Sequence, residues 1–352
     1  MVCSLDFAEL RARVEGLGLS RFVTTQLVDW VYGKGVTDWD RMTNLSRANR
    51  ELLAKELPFT LTLDKSQAEG EVVKYLWRLA DGKAVESVLI LAEGRRTVCV
   101  SSQVGCAARC AFCASGQNGL IRDLSCGEIV EQVVRINGVL MEKGERVSHV
   151  VFMGMGEPLH NRSAVFPALR HLTDAQLLGI SRRRITVSTV GVVEGIHELA
   201  QSGLDVNLAL SLHAPTQELR RRLIPYAREV DLGSLLEAVA LYAATTGRNA
   251  TYEYTLIAGV NDQPEHAEGL ADLLDNQQCT VNCIPYNPVP GRRLERPSRE
   301  SVSAFMRTLR RRNVVATCRI TKGDDIAAAC GQLALQEPQA IVGNSPQQLQ
   351  LI

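Results

Sequence analysis

Three cysteines in the first half of the chain, Cys106, Cys110 and Cys113, follow the spacing Cys-x3-Cys-x2-Cys. Thiolates are the usual protein ligands of iron–sulfur clusters, and three of them leave one iron of a four-iron cluster open. That iron can bind the amino and carboxylate groups of S-adenosylmethionine (SAM), whose sulfonium the reduced cluster can cleave to a 5′-deoxyadenosyl radical. The alternatives are a zinc site and three buried thiols, but neither His149 nor His160 stands at a customary zinc-ligand spacing.

Further residues that suit SAM follow the next predicted strands. Residues 154–158 read Gly-Met-Gly-Glu-Pro, in which the glycines allow close backbone approach and the carboxylate can accept a hydrogen bond from the SAM amino group. Each polar residue of this kind is also compatible with an ordinary strand end, but their shared placement favours one binding rim. The predicted cofactor-binding residues from this pattern are Gly156, Glu157, Ser188, Ser211, Leu212 and His213.

The elements that must position these residues form a repeating pattern. Apolar strand candidates, separated by helical stretches, lie at 97–101, 149–153, 185–189, 206–212, 251–257 and 281–285. Six such units predict an α/β fold, a partial parallel (β/α)6 barrel, in which chemistry lies at the carboxyl ends of the strands.

Three regions are predicted along the chain. Residues 1–70 show helical spacing without a convincing strand, which predicts a small helical accessory domain. Residues 71–335 contain a hairpin of 72–77 with 85–90, the barrel and a last strand at 314–320. The Gln-rich residues 336–352 are predicted to be a flexible tail.

Composition limits the class of protein. The 352 residues include 39 Lys plus Arg against 39 Asp plus Glu, so the whole-chain charge does not indicate a nucleic-acid partner. Arginine clusters do occur at 182–184, 220–222 and 292–312. Ten cysteines without a signal peptide or apolar span favour metal or redox chemistry in a cytoplasmic protein over a disulfide framework.

Four runs occurring together and in order carry a family resemblance. They are CVSSQVGC at 99–106, GMGEP at 154–158, SLHAP at 211–215 and GDDIAAACGQL at 323–333. Over about residues 5–335 the chain closely resembles the radical SAM rRNA adenine methyltransferases. That family modifies carbon 2 of an adenine in large-subunit rRNA, with some members acting also on tRNA, or carbon 8 in the antibiotic-resistance type. The resemblance implies a radical SAM barrel, a [4Fe-4S] cluster on Cys106, Cys110 and Cys113, and SAM.

The resemblance also implies roles for residues that the spacing alone leaves open. Cys330 would be methylated by one SAM, and the radical from a second SAM would convert that methyl group into a methylene radical that adds to adenine. Cys99 would then attack the sulfur and release the product as a disulfide, while Glu86 matches the proton acceptor. Asn287 matches a SAM contact. By residue type alone, Glu86 is equally an exposed strand residue, Cys330 a buried thiol and Asn287 a turn former.

The implied partner is RNA, namely 23S rRNA and in some members tRNA, together with a reducing electron donor such as flavodoxin. The protein is expected to be a cytoplasmic monomer that does not associate with a membrane. We expect residues 292–312 and the N-terminal domain to bind phosphates. Pro158 favours carbon 2, and the alternatives are the carbon-8 resistance activity and a radical SAM enzyme on another substrate. A non-catalytic RNA-binding or iron–sulfur protein is a further alternative, distinguished by whether SAM and dithionite yield 5′-deoxyadenosine.

Overall fold

Parallel strands form the centre of a ten-stranded sheet in the computed structural model, which describes residues 1–275, 277–319, 323 and 325–334. The strands are β1 (Thr62–Glu69), β2 (Val72–Arg78), β3 (Ala84–Ala92), β4 (Arg95–Cys99), β5 (Gln103–Gly105), β6 (Leu120–Asp123), β7 (His149–Phe152), β8 (Ile185–Thr189), β9 (Asn207–Ser211), β10 (Thr251–Leu256), β11 (Thr280–Pro285) and β12 (Ala316–Cys318). The order across the large sheet is β1-β2-β3-β4-β7-β8-β9-β10-β11-β12.

The six predicted core strands are all present and parallel, so the partial barrel is confirmed. β12 adds a further parallel strand beside β11. It is shorter than the predicted 314–320, whose last residue lies outside the described part of the chain, as do Asp324 and the predicted tail 336–352.

Helices connect these strands. They are α1 (Phe7–Gly16), α2 (Arg21–Val28), α3 (Arg47–Glu56), α4 (Cys126–Met141), α5 (Arg162–Thr173), α6 (Val193–Gln201), α7 (Gln217–Leu223), α8 (Leu232–Thr246), α9 (Pro264–Leu273) and α10 (Arg299–Arg311). The first barrel helix, α4, begins at a capping box in which Ser125 and Glu128 satisfy each other's backbone N–H groups. Within the described residues, no helix is long and apolar enough to cross a membrane.

The predicted hairpin is present as β2 and β3, which pair antiparallel and turn through Gly82 at φ +80°. The prediction that residues 1–70 contain no strand was wrong, because β1 pairs antiparallel with β2 at the sheet edge. The residues of β1 are mostly exposed and polar, so they lack the apolar alternation that marks a strand in sequence. Their backbone pairing with β2, a tertiary contact, determines the structure.

The N-terminal helices pack directly on the barrel helices and share their apolar core. The Glu131 carboxylate of α4 accepts hydrogen bonds from the backbone N–H of Thr60 at 2.8 Å and Leu61 at 3.0 Å. The Tyr32 hydroxyl lies 2.8 Å from Nε2 of His171 on α5. These contacts fix the helical region against α4 and α5.

Candidate active site

The three-cysteine loop lies between β5 and β6, a short antiparallel pair that sequence reasoning missed. The base of the loop is closed where the Cys106 N–H donates to the Gly119 carbonyl at 3.0 Å. Gly105 has φ +76°, and a Cβ at this position would lie 2.0 Å from the Gly119 oxygen. Only glycine fits there, because a side chain would be both strained and in collision with the opposite strand.

The cysteine thiols line one cavity at the carboxyl ends of the strands, together with Glu157, Ser188 and Cys330, and we call it the carboxyl-end cavity. Burial raises the pKa of Cys106 to about 12, while backbone N–H groups of Ala108 and Arg109 oppose the shift. Among the described residues, no three His, Cys, Asp or Glu side chains converge on a single metal ion. A four-iron cluster makes no such demand, because each of its thiolates binds a different iron.

Arg220 supplies an independent test of whether a cluster fits. Its side chain is fully buried, and Nε and Nη1 have no hydrogen-bond partner in the described structure, while Nη2 donates to the Val190 carbonyl at 2.5 Å. Burial lowers the pKa of Arg220 to about 10, and the nearby Cys110 opposes that shift. A buried cation with spare donors beside a cysteine suits an anionic thiolate-bound cluster. The residues present therefore fit the group.

Glu157 follows β7, and its carboxylate bonds to the backbone that follows β8. Its Oε1 accepts from the Leu159 N–H at 3.0 Å, and its Oε2 accepts from the Val190 N–H at 2.8 Å. Burial raises the pKa of Glu157 to about 7, and these N–H groups oppose the shift. The Thr189 side chain also hydrogen-bonds to this carboxylate, so three of its roughly four acceptor positions are used and one is left for another donor. Beside it, Gly156 has φ +102°, and a Cβ there would lie 2.6 Å from Gln103 Cβ.

The strand-end residues of β8 and β9 meet as predicted. Ser188 Oγ lies 3.4 Å from Ser211 Oγ, and both line the carboxyl-end cavity. His213 also lines the cavity, and its Nδ1 accepts from the Thr255 N–H at 2.9 Å. Burial lowers the pKa of His213 to about 3, so the ring is neutral. Leu212 is different, because it is fully buried and contributes no cavity surface.

The loop that carries Cys330 is tied to the cysteine loop and to Asn287. The Ala114 N–H donates to the Gly331 carbonyl at 2.7 Å, and Ser115 Oγ donates to the Leu333 carbonyl at 2.6 Å. The Asn287 amide donates to the Cys330 carbonyl at 3.0 Å. These bonds place exposed Cys330 at the edge of the carboxyl-end cavity.

A second cavity lies on the other side of Cys330. It is lined by Cys99, by Cys330 and by residues at the starts of β4, β7, β8 and β9, and we call it the amino-end cavity. Cys99 and Cys330 are both free thiols, and the structure contains no disulfide between them. Burial raises the pKa of Cys99 to about 12, with a further contribution from Cys330, and Arg319 opposes the shift.

Glu86 is placed beneath the Cys330 loop, where it lines neither cavity. Its Oε1 lies 3.1 Å from Nζ of Lys74, with the two side chains only 3% and 4% exposed. Nζ also donates to the Ala327 carbonyl of the loop at 3.4 Å. Burial raises the pKa of Glu86, while Lys74 and the Ala334 N–H lower it.

Sequence reasoning missed several residues of the site. Arg319 Nη1 lies 3.8 Å from Cys330 Sγ, and its Nη2 lies 3.8 Å from Oε1 of buried Glu253. Lys74 and Arg220 were missed as well. Glu253 and Lys74 interrupt otherwise apolar strands, so a charged residue inside a buried strand is the signal that could have found them.

Comparison with known proteins defines the class. The radical SAM superfamily profile matches residues 100–273, and the ribosomal RNA large subunit methyltransferase N-terminal domain matches residues 2–57. The crystal structure of a radical SAM methyltransferase from Sphaerobacter thermophilus superposes with a TM-score of 0.92 at 44% identity, covering 94% of this chain and 98% of that one. The fold is that of the radical SAM methyltransferases, whose cofactors are a [4Fe-4S] cluster and SAM.

Curated relatives define the family within that class. The probable dual-specificity RNA methyltransferase RlmN 2 of Protochlamydia amoebophila is 54% identical over 341 residues, covering 96% of this chain and 95% of the relative. The probable dual-specificity RNA methyltransferase RlmN of Thermotoga sp. strain RQ2 is 44% identical, covering 94% and 96%. The chain belongs to the RlmN family of radical SAM RNA methyltransferases. The predicted fold, enzyme class and cofactors are thereby confirmed.

Proposed function

We propose that the chain methylates carbon 2 of an adenine in 23S rRNA, and of an adenine in tRNA, through a methylated Cys330. The observation that carries this proposal is the position of Cys330. This residue lines both the carboxyl-end cavity, with the three cluster cysteines, and the amino-end cavity, with Cys99. The dual specificity named for the relatives supports two RNA substrates. Carbon 2 is not nucleophilic, so a radical route suits it.

In this proposal the cofactors occupy the carboxyl-end cavity. Cys106, Cys110 and Cys113 hold the cluster, and Gly156, Glu157, Ser188, Ser211, His213 and Asn287 bind SAM, with Leu212 contributing through its backbone only. The bound group supplies a 5′-deoxyadenosyl radical from SAM when reduced. Glu157 has spare acceptor capacity for the SAM amino group. Of these residues, Cys110, Glu157, Leu212, His213 and Asn287 are buried and the others are partly buried, which limits the access of water to the radical.

The remaining residues handle the RNA adduct. Cys330 carries the methyl group to adenine, Glu86 accepts the proton, and Cys99 attacks Cys330 Sγ to release the product. The disulfide formed in that last step is reduced by two electrons from an external reductant before the next turnover, which returns the two free thiols of the resting protein. We infer a monomer because one chain supplies every residue of the site. A cytoplasmic location fits an RNA substrate, and the need to reduce the cluster calls for an electron donor such as flavodoxin.

The test is anaerobic reconstitution with iron and sulfide, followed by incubation with SAM, reductant and protein-free rRNA or tRNA. Nuclease digestion and mass spectrometry then identify the adenosines. A 2-methyladenosine product supports the proposal. An 8-methyladenosine product moves the chain to the resistance-type activity, and 5′-deoxyadenosine without a methylated base points to another substrate.

Replacing Lys74 with methionine is expected to slow methylation roughly 10- to 100-fold, because general-base catalysis contributes at least about that much. The Lys74 charge lowers the pKa of Glu86, so its loss raises that pKa further. A carboxylate base works only when deprotonated, and activity is lost as pH falls through its pKa. The acidic limb of the pH–rate profile should therefore move to higher pH in Lys74→Met.

Two further variants separate this effect from a folding defect. Lys74→Arg should restore much of the rate, because it keeps the positive charge beside Glu86. Lys83→Met, at the turn of the same hairpin, should leave the profile unchanged. A rate lowered equally at every pH in Lys74→Met would contradict the assigned role of the ion pair.

A further inference from the structure

The amino-end cavity opens where parallel strands begin. Arg95 starts β4, His149 starts β7 and Asn207 starts β9, while Arg183 and Arg184 lie directly before β8, and all five line the cavity. The cavity volume is about 470 Å³, against about 140 Å³ for the carboxyl-end cavity. Pockets that bury most of a drug-sized ligand occupy about 300–1,000 Å³. The space is therefore adequate for a nucleotide.

The two cavities meet at one place. The residues that line both of them are Met153, Ile284, Asn287, Arg319 and Cys330, whereas the cluster cysteines line only the carboxyl-end cavity and Cys99 lines only the amino-end cavity. The amino-end cavity is therefore the one lined by both of these cysteines. A substrate group that must meet Cys330 and Cys99 enters it from the amino ends of the strands. SAM and the cluster need only the opposite side, so the two reactants need not compete for one opening.

The charges at the amino-end opening favour an anion. Arg95, Arg183 and Arg184 are exposed, and none has a carboxylate within 4.0 Å in the described parts of the chain. Their neighbour Arg182 differs, since its Nη1 lies 3.4 Å from Oδ2 of Asp205. Burial lowers the pKa of His149, and the charges of Arg95 and Arg184 lower it further. The opening therefore has a positive electrostatic potential, because no carboxylate of the described chain pairs with these three arginines.

The arginines near the C-terminus are a weaker candidate for binding RNA. Arg312 is bound to Glu268 and Asp272, with both N–O distances at 2.6 Å. Its charge is already compensated, and α10 lines neither of the two cavities. The expectation that residues 292–312 provide the phosphate contacts therefore has less structural support than the amino-end opening.

We propose that RNA reaches Cys330 through the amino-end cavity, with Arg95, Arg183 and Arg184 binding the phosphates that flank an extruded adenine. The inference rests on the proposed RNA methylation at Cys330. Single-stranded nucleic acid binds through positive grooves that follow the backbone, and a base must leave its stack to enter a protein interior. Phosphates held at the opening leave the base free to extend toward Cys330.

The experiment measures binding of an RNA stem-loop with an unpaired adenine to the reconstituted holoenzyme at several salt concentrations. The triple variant Arg95→Gln, Arg183→Gln, Arg184→Gln is expected to bind at least about tenfold more weakly near physiological salt. The slope of log K against log salt should fall by about 2 to 3, because each lost phosphate contact removes roughly one unit. Iron content and thermal unfolding establish that the variant is folded.

A matched triple variant removes the same charge at the carboxyl ends of the strands, Arg221→Gln, Arg222→Gln, Arg228→Gln. These arginines are exposed and carry no ion pair in the described structure. The control should bind RNA as the parent does. Equal loss in both triples, or loss only in the control, overturns the proposed route. If the parent binds RNA but forms no methyladenosine, the proposed function fails, while the comparison of affinities still decides the route.

Discussion

Replacing Cys330 with alanine is expected to abolish RNA methylation while leaving the iron content of the reconstituted protein unchanged. The residue lies between two cavities and is exposed, with its loop fixed by Asn287 and by bonds to the cysteine loop. If the methyl group passes through this sulfur, no other described thiol lies at the junction of both cavities. The rate should fall by at least about 10³-fold, as it does when a nucleophile that forms a covalent intermediate is removed.

The measurement is methyladenosine by mass spectrometry, together with iron per chain and the cluster absorbance. Cys318→Ala is the matched control, because Cys318 is also an exposed thiol of the C-terminal part but lines neither cavity. It should keep parental activity. Methylation by Cys330→Ala within tenfold of the parent would rule out the methyl-cysteine route.

The barrel could be predicted from the sequence because its short strands are largely buried and recur between helical stretches. β9 and β10 are buried at consecutive positions, as is typical of parallel strands covered on both faces, while β8 alternates buried and partly buried residues. β1 could not be predicted, because its residues are mostly polar and exposed. β5 and β6 could not be predicted, because these strands have only three and four residues. Those elements depend on pairing partners, which local sequence does not record.

Residues of the candidate site could be predicted where they lie at a short, characteristic spacing in the sequence. They could not be predicted where they meet only through contacts between distant parts of the chain. Cys106, Cys110 and Cys113 lie in one loop, so their grouping is local. The contact from Lys74 to the Ala327 carbonyl joins residues 253 positions apart, and Arg319 reaches Cys330 only because β12 pairs with β11. Leu212 was predicted from its motif position, and because its side chain is fully buried, the proposed contact with SAM is left to its backbone.

Removal of the Cys99 thiol is expected to stop the reaction after RNA has been attached to the protein. Cys99 and Cys330 both line the amino-end cavity, and Cys330 contributes to raising the pKa of Cys99. Once Cys330 is alkylated it carries no ionisable thiol, so that contribution disappears and Arg319 favours the Cys99 thiolate. Attack on Cys330 Sγ then forms the S–S bond, breaks the S–C bond and leaves the carbon to take up a proton.

Without that thiolate, Cys99→Ala should accumulate a covalent protein–RNA adduct and form at least about 10³-fold less free methylated product. Denaturing gel electrophoresis with labelled RNA detects the adduct, and nuclease digestion followed by mass spectrometry of peptides locates it at Cys330. Cys283→Ala is the matched control, since Cys283 is also a buried strand cysteine but lines neither cavity. Normal turnover by Cys99→Ala would mean that another group resolves the adduct. Loss of product without any adduct would place the Cys99 function before RNA attachment, because the sulfur of Cys330 would never have acquired the base.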